Sequence, residues 1–184
     1  MRKWNAITSL LLVFLLVVHL FMGAFIMMDI IQVSPIWKKS LSYFMVGLLI
    51  LHMIFGIVLT IKSIKNTKQS GASYNRLNKR FWVARISGFS IIILALYHIW
   101  FFIRLNSEAV RLKPFGIFQL IASLLLVIAL LVHIITNIRP MIISFGAEQA
   151  RKFAKDTMIV ILMILMVGVV AFIIYYFRWN IWWQ

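Results

Sequence analysis

Long apolar stretches separated by short polar segments dominate this sequence. Five windows, at positions 4–28, 41–61, 81–103, 115–138 and 158–177, contain no Lys, Arg, Asp or Glu except Arg85 near the start of the third. A helix that crosses a bilayer needs roughly 20 apolar residues, because the hydrocarbon core is about 30 Å thick and a helix rises about 1.5 Å per residue. The pattern therefore predicts an all-α membrane protein with five transmembrane helices.

The polar segments between the windows are short, so residues 1–184 are predicted to form one integral membrane domain. Pro35, Pro114 and Pro140 are predicted to lie at or outside helix ends, where a missing N–H removes no helical hydrogen bond. The fifth window has no histidine. We expect the first four helices to form a four-helix bundle and the fifth to pack on its outside.

Composition agrees with a membrane location. Hydrophobic residues make up 64% of the chain and charged residues 12%, whereas a soluble domain has about 25% charged residues. The sequence has no cysteine, which excludes a disulfide framework, thiolate zinc sites and any iron–sulfur cluster held by this chain. If electrons pass through an iron–sulfur cluster, that cluster must belong to a partner.

The basic residues predict the orientation of the chain in the membrane. The sequence has 19 Lys and Arg against 4 Asp and Glu. Of the basic residues, 13 lie in the N-terminus, in or beside the second linker, or in the fourth linker, and 6 lie on the other side. Because cytoplasmic loops retain Lys and Arg, the N-terminus is predicted to be cytoplasmic. The positive charge is thus a topology signal, and no nucleic-acid partner is predicted.

The four histidines fall one in each of the first four windows. Ionisable residues inside a membrane are costly and usually functional. Helix rise places His19 and His98 about 22–26 Å from the cytoplasmic edge, and His52 and His133 about 8–14 Å from it. We call His52 and His133 the inner pair and His19 and His98 the outer pair. Two histidines at matched depth suit the two axial positions of a haem iron, so the sequence predicts two bis-histidine haems b.

Other residues near the histidines fit this prediction. Gly23 and Gly56 each follow a histidine by four residues and so share its helix face, where a missing side chain would let a flat macrocycle approach. Ordinary helix packing explains these glycines almost as well. Arg85, Asn137 and Arg139 are candidate contacts for haem propionates, and the two arginines are equally well explained as anchors at the membrane surface.

A zinc or copper transporter that binds no haem is the main alternative from another functional class. Such a site would require carboxylates or thiolates beside the imidazoles, and none of the five windows contains Asp, Glu or Cys. A histidine proton relay would require rings close together along one path, whereas these histidines divide into two levels.

The chain resembles the dihaem cytochrome b membrane subunit of succinate:quinone oxidoreductases, which comprise succinate dehydrogenases and fumarate reductases. The resemblance covers nearly the whole chain, with five spans and one histidine in each of the first four. Its strongest fragments, in order, are LHMIFG at 51–56, the basic loop with Ser73 and Tyr74, ARISG at 84–88 and YHIW at 97–100.

The resemblance implies a function and partners. The inner pair would ligate the haem nearer the cytoplasmic subunits, and the outer pair the other haem. Partners would be an FAD-containing flavoprotein that interconverts succinate and fumarate, an iron–sulfur subunit, and menaquinone near the outer haem. The location would be a bacterial cytoplasmic membrane, in contact with lipid. Dihaem cytochrome b subunits of hydrogenases, formate dehydrogenases or ferric reductases are the alternative with the same cofactors.

Quinone chemistry needs a proton donor or acceptor beside an apolar slot. Asp29 and Glu108 are the only acidic residues on the predicted outer side, so both are candidates for a menaquinone site. Asp29 is the better one because it lies nearer the membrane, although an ordinary solvated loop carboxylate is the simpler interpretation of each.

Overall fold

The protein is all-helical in a computed structural model that describes residues 1–69, 79–103, 115–146 and 150–182. Five long helices are followed by a short π-helical turn. The elements are α1 Arg2–Met27, α2 Pro35–Gln69, α3 Lys79–Ile103, α4 Ile117–Ser144, α5 Ala150–Phe177 and the π turn Arg178–Trp182.

All five helices are long and apolar enough to cross a membrane, which confirms the prediction of an all-helical protein with five such helices. Several extend beyond the apolar windows, and α2 is the longest, with 35 residues. The extensions of α2 carry several Lys and a Gln, which have good helix propensity. Large apolar side chains such as Phe118 and Trp37 are more than 70% exposed, as expected for surfaces that face lipid.

The helices pack as two neighbouring pairs joined by α5. Helix α1 packs against α2, and α3 packs against α4. Helix α5 packs against both α4 and α1, and α1 also touches α4. Among the described residues, α2 packs closely against α1 alone. Helix α2 is therefore held in the described structure mainly by α1.

Helix α5 contributes more to the interior than we expected. It contains the fully buried Tyr175, whose ring centroid lies 5.0 Å from that of Phe115. Gly168 lets α1 approach closely, because a Cβ there would lie 3.2 Å from Leu20 Cδ1. The prediction that α5 lies outside is therefore only partly right. Because α5 is apolar on all sides, its sequence has no periodic pattern of polar residues that would distinguish the face that packs from the face that meets lipid.

The prediction for Pro140 was wrong, because α4 continues through this residue to Ser144. Proline has no N–H, so the Thr136 carbonyl one turn earlier loses its usual helical donor. Arg80, at the start of α3, supplies the missing donor: its Nε donates to the Thr136 carbonyl oxygen at 2.9 Å. The proline is tolerated inside the helix because a neighbouring helix satisfies the carbonyl that it leaves open.

This contact predicts a coupling between Arg80 and Pro140. Replacing Arg80 by alanine should lower the free energy of unfolding by about 1 kcal/mol, the usual net value of one hydrogen bond. In a Pro140→Ala background the backbone N–H gained at that position can bond to Thr136, so the Arg80→Ala change should cost less. Unfolding of the four proteins in mixed detergent measures the coupling. Equal losses in the two backgrounds would show that the contact does not compensate for the proline.

Candidate functional site

A large cavity lies among the helices and contains the predicted site. Its volume is about 1890 Å³, and all five helices contribute to its walls. A pocket for one drug-sized ligand occupies roughly 300–1,000 Å³, so this space is large enough for two such groups. All four histidines line it, together with Arg85 and Asn137.

The structure brings the histidines together in two pairs. The ring centroids of His19 and His98 are 6.3 Å apart, and those of His52 and His133 are 6.4 Å apart. The first is the outer pair and the second is the inner pair, as helix rise predicts. Each pair joins two helices that do not pack closely against each other: α2 with α4, and α1 with α3. Each of the packed pairs α1/α2 and α3/α4 thus supplies one histidine to each level.

The spacing fits a metal ion held between two imidazoles. An imidazole nitrogen binds a metal at about 2.0–2.1 Å and lies about 1.1 Å from its ring centre, so two rings on opposite sides of one ion have centroids about 6.2–6.4 Å apart. Within the described ranges no three His, Asp or Glu side chains come together. A pair of imidazoles suits haem, which brings four equatorial nitrogens of its own, better than it suits bare zinc or copper.

Hydrogen bonds fix the tautomer of His133. Its Nδ1 lies 3.1 Å from the Ala84 carbonyl oxygen, which can only accept, so Nδ1 carries the proton. Ser87 Oγ donates to the same carbonyl and lies 3.2 Å from Nδ1. Gly88 provides the room, since a Cβ there would lie 3.1 Å from His133 Cε1. The Nε2 lone pair of His133 is thereby left to bind a metal.

His52 is held in the same way by α1. Its Nδ1 lies 3.3 Å from Thr8 Oγ1 and 3.4 Å from Ser9 Oγ. Both hydroxyls donate their proton to the Asn5 carbonyl oxygen, at 3.0 and 2.7 Å. Because those protons are already used, the hydroxyl oxygens accept from the imidazole, which again places the proton on Nδ1 and leaves Nε2 free.

The outer pair lacks this support. Nδ1 of His19 and Nδ1 of His98 are both buried without a hydrogen-bond partner in the part of the chain that the structure describes. His98 instead packs against Phe102, with ring centroids 4.7 Å apart. Hydrogen bonds therefore orient the inner imidazoles, whereas apolar packing orients the His98 ring.

No protein-family model, no curated protein and no solved structure matches this chain.

The three candidate propionate contacts lie in different surroundings. Arg85 lines the cavity, its guanidinium carbon lies 4.9 Å from the Phe81 ring centroid, and its charge acts on both inner histidines. Asn137 also lines the cavity, although its Nδ2 donates to the His133 carbonyl oxygen at 2.8 Å. Arg139 is exposed and does not belong to the cavity wall. Of the two arginines, the structure brings only Arg85 to the site.

Asp29 has a structural role at the end of α1. Its φ of 62° is left-handed, and the Ile30 N–H donates to the Phe25 carbonyl oxygen at 2.8 Å, which closes the helix in a Schellman turn. Its carboxylate pairs with Arg178 at 2.7 Å and lies outside the cavity wall. The structure therefore does not bring Asp29 to the cavity, and Glu108 lies outside the described residues.

Sequence reasoning missed the residues that support the inner histidines. These are Thr8, Ser9, Ser87, Gly88 and the Ala84 carbonyl. Their signal is present in the sequence: small or hydroxyl residues stand inside otherwise apolar spans, where such residues let helices approach and bond to one another. Gly23 and Gly56 also line the cavity, with nothing within 4 Å of an added Cβ.

Proposed function

We propose that this chain is the dihaem cytochrome b subunit of a succinate:menaquinone oxidoreductase. The four helices that carry histidines form a bundle around two haems b, with the N-terminus in the cytoplasm. Electrons pass through these haems between a cytoplasmic iron–sulfur and flavoprotein pair and menaquinone in the membrane. The chain is an anchor and an electron conductor, and dicarboxylate chemistry takes place on the partner.

The observation that carries the proposal is the pair of histidine contacts, with centroids 6.3 and 6.4 Å apart inside one cavity of about 1890 Å³. Each haem supplies reversible one-electron chemistry when bound. The spacing suits axial ligation, and the volume suits two macrocycles. Because each pair joins the α1/α2 unit to the α3/α4 unit, the two haems would also hold α2 in place.

The protein's residues tune the site in three ways. The apolar helices exclude water, which lowers the local dielectric and tunes the potential of a bound redox group. Nδ1–H bonds of the inner pair raise the basicity of those ligands and fix their orientation. The charge of Arg85 beside the same pair offsets the negative charge of propionates.

The partner is tested by asking which electron donor reduces the haems. The full complex is purified through a tag on this chain, and haem absorbance is followed after addition of succinate, formate or hydrogen. We expect succinate alone to reduce the haems, fumarate to reoxidise them, and a flavoprotein to copurify. Reduction by formate or hydrogen instead, or haem-linked reduction of ferric iron without a dicarboxylate reaction, would assign the chain to the alternative class of dihaem cytochromes.

A further inference from the structure

Two lysines line the cavity at the end where α1 ends and α2 begins. Lys38 and Lys39 lie in the first turns of α2, both line the cavity, and Lys38 is partly buried. Within the described ranges the one ion pair joins Arg178 to Asp29, so neither lysine has a carboxylate partner there. Lys39 is exposed beside Lys38. The partly buried charge of Lys38 favours an anionic ligand, because a partly desolvated charge is costly unless it is paired, and Lys39 adds a second positive charge at the same place.

The lysines lie close to the level of the outer histidines. His19 precedes the last residue of α1, Met27, by eight positions, so it lies about 12 Å below that helix end. Lys38 is the fourth residue of α2, about 4.5 Å below the start of that helix. Only seven residues join the two helix ends, which keeps them near one another. Lys38 therefore lies roughly one and a half helical turns beyond the outer pair.

We propose that Lys38 and Lys39 form a carboxylate-binding site that holds the two propionate groups of the outer haem. The inference rests on the proposed function, since it requires a haem between His19 and His98. The two propionates leave one edge of the macrocycle together, and two adjacent lysines offer them a matching pair of positive charges. The flexible four-carbon stem of lysine lets each ammonium reach into the cavity from the helix.

The site has a measurable electrostatic consequence. Lysine charges offset the propionate charges and so favour the reduced iron, which carries one positive charge less. Removing both charges should therefore stabilise the oxidised iron of the outer haem. The inner haem lies farther from Lys38, beside Arg85, and should respond little.

The test is a redox titration of the full chain carrying Lys38→Gln and Lys39→Gln. The outer component is identified as the one that is lost in His19→Ala. We expect its midpoint potential to fall by about 59 mV, which for one electron is a tenfold change in the ferric-to-ferrous ratio. The inner component should keep its midpoint. A Lys38→Arg, Lys39→Arg protein should restore the outer midpoint. The matched control is Lys65→Gln with Lys68→Gln, which removes two charges of the same helix outside the cavity wall and should change neither midpoint.

The result that overturns this inference differs from the result that overturns the proposed function. Absence of two b-type components from the unchanged protein defeats the proposed function itself. If both components are present and the lysine variant keeps both midpoints, or shifts the inner one equally, the site does not hold the outer propionates. Loss of bound phospholipid phosphorus with unchanged midpoints would assign the lysines to lipid phosphate and would equally refute the proposal.

Discussion

Replacing either inner histidine by alanine is expected to remove one and the same haem. His52→Ala and His133→Ala should each lower the haem content from two per chain to one and abolish the same component in a redox titration. His19→Ala and His98→Ala should abolish the other component. The physical reason is that a six-coordinate iron needs both axial imidazoles, and each pair has the ring separation that one metal ion requires.

The pairing is tested by comparing the four variants with one another. A single component lost in both His19→Ala and His52→Ala would contradict it, because these residues lie at different levels. Ser87→Ala is a useful companion, because the Ala84 carbonyl still accepts the His133 Nδ1–H. That variant should retain both haems. It loses the Ser87 hydroxyl beside His133 Nδ1, which weakens the hydrogen bonding of the Nδ1–H group and makes the imidazole less basic, so we expect the potential of the inner haem to rise.

A leucine at Gly56 is expected to displace the inner haem. Gly56 lies one turn from His52 on the same face of α2, lines the cavity, and has nothing within 4 Å of an added Cβ. The protein alone therefore leaves open space where the new side chain would begin. If a macrocycle fills that space, the same leucine overpacks it, and we expect the haem content to fall by half with the outer component retained. Gly23→Leu should displace the outer haem for the same reason.

The matched control for these variants is Gly47→Leu. Gly47 belongs to α2 as well, is exposed, lies outside the cavity wall, and also has open space around an added Cβ. It imposes the same change of residue without entering the cavity. Full haem content in Gly47→Leu and half content in Gly56→Leu is the predicted outcome. Full content in all three proteins would show that no macrocycle occupies the space beside the two glycines.

Sequence pattern was sufficient for the spans and for the grouping of the histidines. The five helices follow from runs of apolar residues, because only a helix satisfies its own backbone hydrogen bonds within lipid. The two histidine levels follow from the constant rise of a helix, which converts positions 19, 52, 98 and 133 into depths. Both predictions depend on local geometry that does not require knowing how the helices pack.

Features that depend on contacts between helices were not predictable in this way. Helix α4 passes through Pro140 because Arg80, 60 residues earlier, bonds to the Thr136 carbonyl. Asp29 lies in the turn that ends α1 and forms an ion pair with Arg178, which is 149 residues away in sequence. Such pairs become visible only once the topology brings distant segments together.

Whether this chain binds two haems b is decided by a reduced-minus-oxidised absorbance spectrum of the purified chain, together with haem quantitation. We expect low-spin b-type bands and two haems per chain. A spectrum without b-type bands, or a content of one haem per chain, would contradict this expectation.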